Sequence, residues 1–201
     1  MPRAIVFDLF GVIASTQAPE DIRAIEEAAG LDATATGAFW EAYWALREPY
    51  DSGQPGVEYW AAVAARLGVP FDGETVRALI DADMKSWSNT DAAMVDLIGE
   101  LAGEGYTLGL LSNIVGDLVP IFEARHREWL AHFSTLAYSC EIGVAKPDRR
   151  AYEIVAERLG VAPRDCLFLD DREVNVLAAR DVGMRAEVFR TPGQVRELLA
   201  A

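Results

Sequence analysis

Lysine is nearly missing from this chain: arginine supplies almost every positive charge, and the only lysines are Lys85 and Lys146. A lysine kept against such a bias hints at a task arginine does not fill. Cysteine is equally scarce, with Cys140 and Cys166 outside any CxxC pair. That spacing excludes a disulfide scaffold and a thiolate metal site, and points to a reducing, cytoplasmic address. The first apolar stretch is interrupted by Asp8 and followed by no clean cleavage site, so it is not read as a signal peptide. No window approaches the roughly 18 uninterrupted apolar residues of a membrane span. The two histidines, His126 and His132, match no metal spacing, and P-loop, GxSxG and HExxH motifs are missing. Net charge is −14, which argues against nucleic acid or an anionic membrane as partner and favours divalent cations.

What is present begins with Ala4-Ile5-Val6-Phe7 running into Asp8. An apolar strand ending in a carboxylate places a charge at the C-terminal edge of a parallel sheet, where open α/β sheets bind ligands. From Pro19 to Trp87 the periodicity turns helical, with segments Pro19–Ala29, Thr36–Glu48, Val57–Leu67 and Gly73–Trp87 separated by turn signals, including Pro49–Gly56. From Asp91 onward helices alternate with strands Tyr106–Leu111, Thr135–Ser139, Cys166–Leu169 and Arg185–Phe189. The expected fold is α/β: a doubly wound, Rossmann-like parallel sheet with an inserted helical cap, residues 1–15 and 90–201 forming the core and 16–89 the cap. The intervening helices Ala92–Gly103, Leu118–Leu130, Asp148–Leu159 and Val174–Val182 cover the sheet, and Asp148 and Gly160 cap the third of them.

Three further strand ends carry polar groups: Ser112-Asn113, Lys146 after Gly143-Val144-Ala145, and Asp170-Asp171 with Asn175 four residues beyond. In a parallel sheet they converge with Asp8. Clustered carboxylates without histidine suit Mg²⁺ shared with a substrate phosphate. Lys146 suits phosphate as a point charge. The Ser112 hydroxyl and backbone N–H groups after a strand, as at Leu9 and Phe10, can hold phosphoryl oxygens. Asp8, alone on the first strand, is the natural nucleophile for an aspartyl-phosphate.

With these motifs in order, Val6-Phe7-Asp8-Leu9-Phe10-Gly11-Val12, Leu111-Ser112-Asn113, Lys146-Pro147 and Leu167-Phe168-Leu169-Asp170-Asp171-Arg172-Glu173-Val174-Asn175, the chain resembles the haloacid dehalogenase-like (HAD) hydrolase superfamily. The stretch from His132 to Met184 is similar to the N-terminal phosphatase domain of soluble epoxide hydrolase and to bacterial sugar-phosphate phosphatases. The resemblance implies attack by Asp8 and Mg²⁺ held by Asp8, the Phe10 backbone carbonyl and Asp170, with support from Asp171 and Asn175. It implies phosphoryl contacts from Ser112, Asn113 and Lys146. Most phosphatases of the superfamily carry an acid–base aspartate where this chain has Phe10, a group worth roughly 10²–10⁴-fold. Good leaving groups should suffer least from its loss.

The expected activity is therefore Mg²⁺-dependent phosphatase action on a small phosphorylated metabolite. One rival is a 2-haloacid dehalogenase, which the Asp170-Asp171 pair opposes. The other is a catalytically weak member that binds a phosphorylated ligand or a protein. Arg47 is read first as a solvated helix-end arginine, with a substrate-carboxylate contact as its other reading. Trp40, Trp44, Trp60 and Trp87 read as cap core rather than a stacking surface, although an aromatic-rich cap is compatible with a homodimer. Both histidines read as structural and both thiols as buried. Arg172 is left open between site and solvent.

Overall fold

The computed structural model describes residues 2–32 and 34–200. Five parallel strands, β1 (Ala4–Phe7), β2 (Thr107–Ser112), β3 (Thr135–Tyr138), β4 (Cys166–Asp170) and β5 (Arg185–Val188), form one sheet in the order β3-β2-β1-β4-β5. The expected α/β architecture is the one observed. Strand β1 sits centrally, pairing Phe7 with Leu110 of β2 and with Leu169 of β4. The chain passes from β1 to β2 on one side and later fills β4 on the other, so a crevice opens at the C-terminal end of β1.

Alternation along the strands divides the core. Ile5, Phe7, Leu108, Leu110, Leu167 and Leu169 face one layer, whereas Ala4, Val6, Leu111, Cys166 and Phe168 face the other. Burial on both faces explains why the strands read as apolar runs rather than as alternating patterns. After the short α8 (Ser139–Ile142), helices α9 (Arg149–Leu159) and α10 (Glu173–Asp181) cover the second face through Tyr152, Val155, Val176 and Ala179. Helices α6 (Ala92–Gly103), α7 (Val119–Leu130) and α11 (Pro192–Ala200) cover the first. Asp148 caps α9 by accepting from the Arg150 N–H, and Gly160 ends it in the left-handed region (φ 67°).

Between β1 and α6 lie α1 (Pro19–Ala29), α2 (Thr36–Ala45), α3 (Arg47–Asp51), α4 (Gly56–Leu67) and α5 (Gly73–Ser86). They pack on Phe39, Tyr43, Tyr59, Trp60 and Leu79, continuous with the first core layer. The two connections to the sheet are tied together: Ser15 N–H donates to the Asn89 carbonyl (3.0 Å) and Asp91 N–H to the Ile13 carbonyl (2.8 Å).

Two expectations change. The helix expected to run from Thr36 to Glu48 breaks at Leu46 (φ −105°, ψ 2°) and restarts as α3. A continuous helix would drive the Pro49 ring into the Ala45 carbonyl, whereas in the first turn of α3 its missing N–H costs nothing. Helix α7 is kinked at His126 (φ −116°, ψ 18°), whose Nε2 lies 3.0 Å from the Ser88 carbonyl.

Candidate active site

Asp8 follows β1 with only 6% of its surface exposed. Its Oδ1 accepts from the Leu9 N–H (2.6 Å) and from Lys146 Nζ (2.6 Å). Lys146, also buried, reaches Asp170 Oδ2 at 2.7 Å. It thereby bridges the acids at the ends of β1 and β4. Asp170 is further held by both Asn175 Nδ2 contacts (3.0 Å each) and by the Arg172 N–H (2.9 Å). One carboxylate oxygen from each of Asp8, Asp170 and Asp171 lies within 4.8 Å of the others.

Burial pushes the Asp8 carboxyl above the ordinary range; the Asp170 charge adds to that, and Lys146 opposes it. Asp171 is raised by burial and then by Asp170. Burial works against the Lys146 charge, but Asp8 and Asp170 outweigh it and hold the ammonium above its usual range. One ammonium against three carboxylates leaves an unbalanced negative site. Its donors are oxygens alone, without histidine or cysteine, which is the set a hard divalent cation takes. Ser112, fully buried at the end of β2, has a hydroxyl with no hydrogen-bond partner among the described residues. A buried hydroxyl without a partner, at the same sheet edge as the cluster, fits a ligand oxygen.

Gly11 makes the close approach possible. It holds φ +84°, and a Cβ there would overlap the Asp171 carboxylate. Gly11→Ala should cost about 1–3 kcal/mol and weaken divalent-ion binding, read by thermal melts over a metal titration. An unchanged melt and affinity would remove this role from Gly11.

Above the cluster lies a cleft of about 320 Å³ lined by Asp8, Lys146, Asp171, Phe10, Trp44 and Trp87, and by Arg47, Asp51 and Arg172. Residues 2–183 match the model of the haloacid dehalogenase-like hydrolases. The chain belongs to that family. Among relatives of this HAD hydrolase is phosphatase MT3486 of Mycobacterium tuberculosis, 32% identical over 200 residues and aligned across 96% of this chain and 90% of that protein. Bifunctional epoxide hydrolase 2 of Rattus norvegicus is 32% identical over 109 residues, 52% of this chain and only 20% of that protein. The HAD family enzyme bt-2542 of Bacteroides thetaiotaomicron, solved with magnesium and inorganic phosphate, superposes with a TM-score of 0.75 at 18% identity, covering 94% of this chain and 95% of that one. That last likeness is one of fold.

Several residues of this hydrolase make contacts beyond those expected. Asn113 lines the cleft and also grips the Lys146 backbone: its Nδ2 donates to the Lys146 carbonyl (2.8 Å) and its Oδ1 accepts from the Lys146 N–H (2.7 Å). It clamps the backbone that carries the lysine. The Leu9 N–H is spent on Asp8, and its side chain is core. The Phe10 ring packs edge-on to Trp87 (5.0 Å) and Phe122 (6.4 Å). Arg47 is not solvated. It is buried over the cleft, paired with Asp51 (3.0 Å) and Asp83 (3.0 Å). Asp83 was not foreseen, although its spacing from Val76 and Leu79 puts it on the buried stripe of α5. Trp60 is core as expected, but Trp44 and Trp87 line the cleft. Cys166 is buried and Cys140 only partly so. Arg172 is at the cleft. No helix among the described residues is long and apolar enough to cross a membrane.

Removing Arg47 would strand the fully buried Asp83. Arg47→Met should destabilise the fold by about 3–5 kcal/mol, with much of that recovered by adding Asp83→Asn. Equal melting points for the single and double variants would show that the pair is not coupled.

Proposed function

We propose that this hydrolase is a phosphatase that releases phosphate from a small phosphorylated metabolite through an aspartyl-phosphate on Asp8, with Mg²⁺ as its metal. The observation that carries the reading is the Asp8–Lys146–Asp170 bridge beside Asp171, with the Ser112 hydroxyl, unpartnered among the described residues, at the end of the neighbouring strand. The phosphatase relatives and the magnesium- and phosphate-bound structural neighbour support it.

Asp8 presents one occupied and one open oxygen. Oδ1 is fixed by Leu9 and Lys146, and no hydrogen bond is made to Oδ2 among the described residues. Oδ2 is the attacking atom. It forms the bond to phosphorus while the bond to the leaving oxygen breaks and that oxygen departs with the electron pair. Water then attacks phosphorus, frees phosphate and restores the Asp8 carboxylate. Lys146 and the Ser112 hydroxyl bind phosphoryl oxygens, and Asn113 keeps Lys146 in place. Asp8, Asp170, Asp171 and the Phe10 carbonyl would hold Mg²⁺, with Asn175 orienting Asp170. When bound, Mg²⁺ neutralises the carboxylates and the charge on the phosphoryl group. Residues 16–89 act as the cap that covers the cleft, over a core of residues 1–15 and 90–201.

The dehalogenase reading loses support from Arg47, whose charge is already taken by two carboxylates. Phosphate release from acetyl phosphate, p-nitrophenyl phosphate and sugar phosphates, with and without Mg²⁺, tests the proposal. Metal-dependent release is expected; halide release from 2-haloacids without phosphatase activity would replace it.

A further inference from the structure

Three aromatic rings, Phe10, Trp44 and Trp87, line the cleft that holds Asp8. Trp87 packs edge-on against Phe10 at 5.0 Å, and Trp44 meets Trp87 at 6.3 Å with an interplanar angle of 85°. The two indoles therefore make a corner whose walls are perpendicular. Trp44 is 53% exposed, whereas Trp60 and Trp129 are buried. An indole left half in water at the mouth of a charged cleft keeps apolar area free for a ligand to cover.

The cleft carries no surplus of positive charge. Asp8, Asp51 and Asp171 face Lys146, Arg47 and Arg172 along the lining, three acids against three bases. Asp83 and Asp170, paired with Arg47 and Lys146, add two more acids, so two negative charges remain in excess. A divalent cation offsets that excess, so the cleft has no net positive charge to spare for a second anionic group on the substrate. Phe10, two residues after Asp8 and in the same lining, can donate no proton to a leaving oxygen.

We infer that the substrates are aryl phosphates: uncharged aromatic rings joined to phosphate through a phenolic oxygen, the ring seated in the corner of Trp44 and Trp87. The inference rests on the phosphatase reading and specifies its leaving group. When Asp8 Oδ2 bonds to phosphorus and the phosphorus–aryl oxygen bond breaks, the electron pair leaves on that oxygen. The ring delocalises the charge, so no donor at residue 10 is needed, and water later supplies the proton. An aliphatic alkoxide has no such outlet, and its departure bears the full cost of the missing acid.

Three measurements on the Mg²⁺-loaded full chain decide the matter. Phenyl phosphate should be hydrolysed with a kcat/KM at least about 10²-fold above that for glucose 6-phosphate. By calorimetry, benzylphosphonate should bind about tenfold more tightly than methylphosphonate. Trp44→Ala should remove most of that binding preference and Trp44→Phe retain it, with circular dichroism and melting point showing that each variant is folded. Comparable hydrolysis of both esters, or a binding preference untouched in folded Trp44→Ala, would overturn the aryl assignment while acetyl phosphate turnover left the phosphatase reading standing. No turnover of acetyl phosphate and no binding of either phosphonate would overturn both.

Discussion

Asp8→Asn should reduce phosphate release by about 10⁴-fold or more, because the attacking oxygen is replaced by an amide that cannot form the covalent intermediate. The same substitution should not weaken the fold. The Asp8 carboxyl is held above its ordinary range by burial and by the Asp170 charge, with Lys146 only partly offsetting them. A neutral side chain of the same shape relieves that cost, and Lys146 keeps its 2.7 Å partner in Asp170. Thermal melts of the metal-free proteins should place Asp8→Asn at or above the parent. A variant that loses activity together with its folded structure would leave Asp8 as a structural acid.

Lys146→Met should have the opposite stability signature. The lysine is the only cation in ion-pair contact with Asp8 and Asp170 among the described residues. Its loss strands buried carboxylates, and breaking a buried pair in this way costs about 3–5 kcal/mol. Saturating Mg²⁺ should restore most of that stability, because the cation replaces the missing charge and binds the native state alone. Activity should stay about 10²–10³-fold down even then, since a phosphoryl contact is gone. A metal-free melting point equal to the parent, or a deficit Mg²⁺ does not repair, would contradict the electrostatic account. Asp8→Asn and Lys146→Met thus separate nucleophile from counter-ion: one loses chemistry and keeps its fold, the other loses both and regains the fold with metal.

The strands and their polar ends were legible because burial on both faces writes a strand as an apolar run, and the first charge after the run marks the sheet edge. Asp8, Ser112 and Asp170 were found that way, and the order β3-β2-β1-β4-β5 brings them together. Contacts made across the chain were not legible. Asn113 and Lys146 are 33 residues apart, and only the folded register shows the amide of one gripping the backbone of the other. Arg47 reads as a surface residue until Asp83, 36 residues on, is seen beneath it. The break at Leu46 was readable in principle from Pro49, but helical spacing of the aromatic residues outweighed it. Trp44 and Trp60 look alike in sequence, yet one is core and the other faces the cleft, a distinction set by how α2 and α4 pack.

The most direct test of the account is to mix the Mg²⁺-loaded protein with acetyl phosphate, quench in acid within the first turnovers, and examine the peptide containing Asp8 by mass spectrometry. Phosphate covalently attached to Asp8, absent without Mg²⁺ and absent from Asp8→Asn, is the predicted result. Steady phosphate release with Asp8 unmodified at every time point, or undiminished in Asp8→Asn, would contradict it.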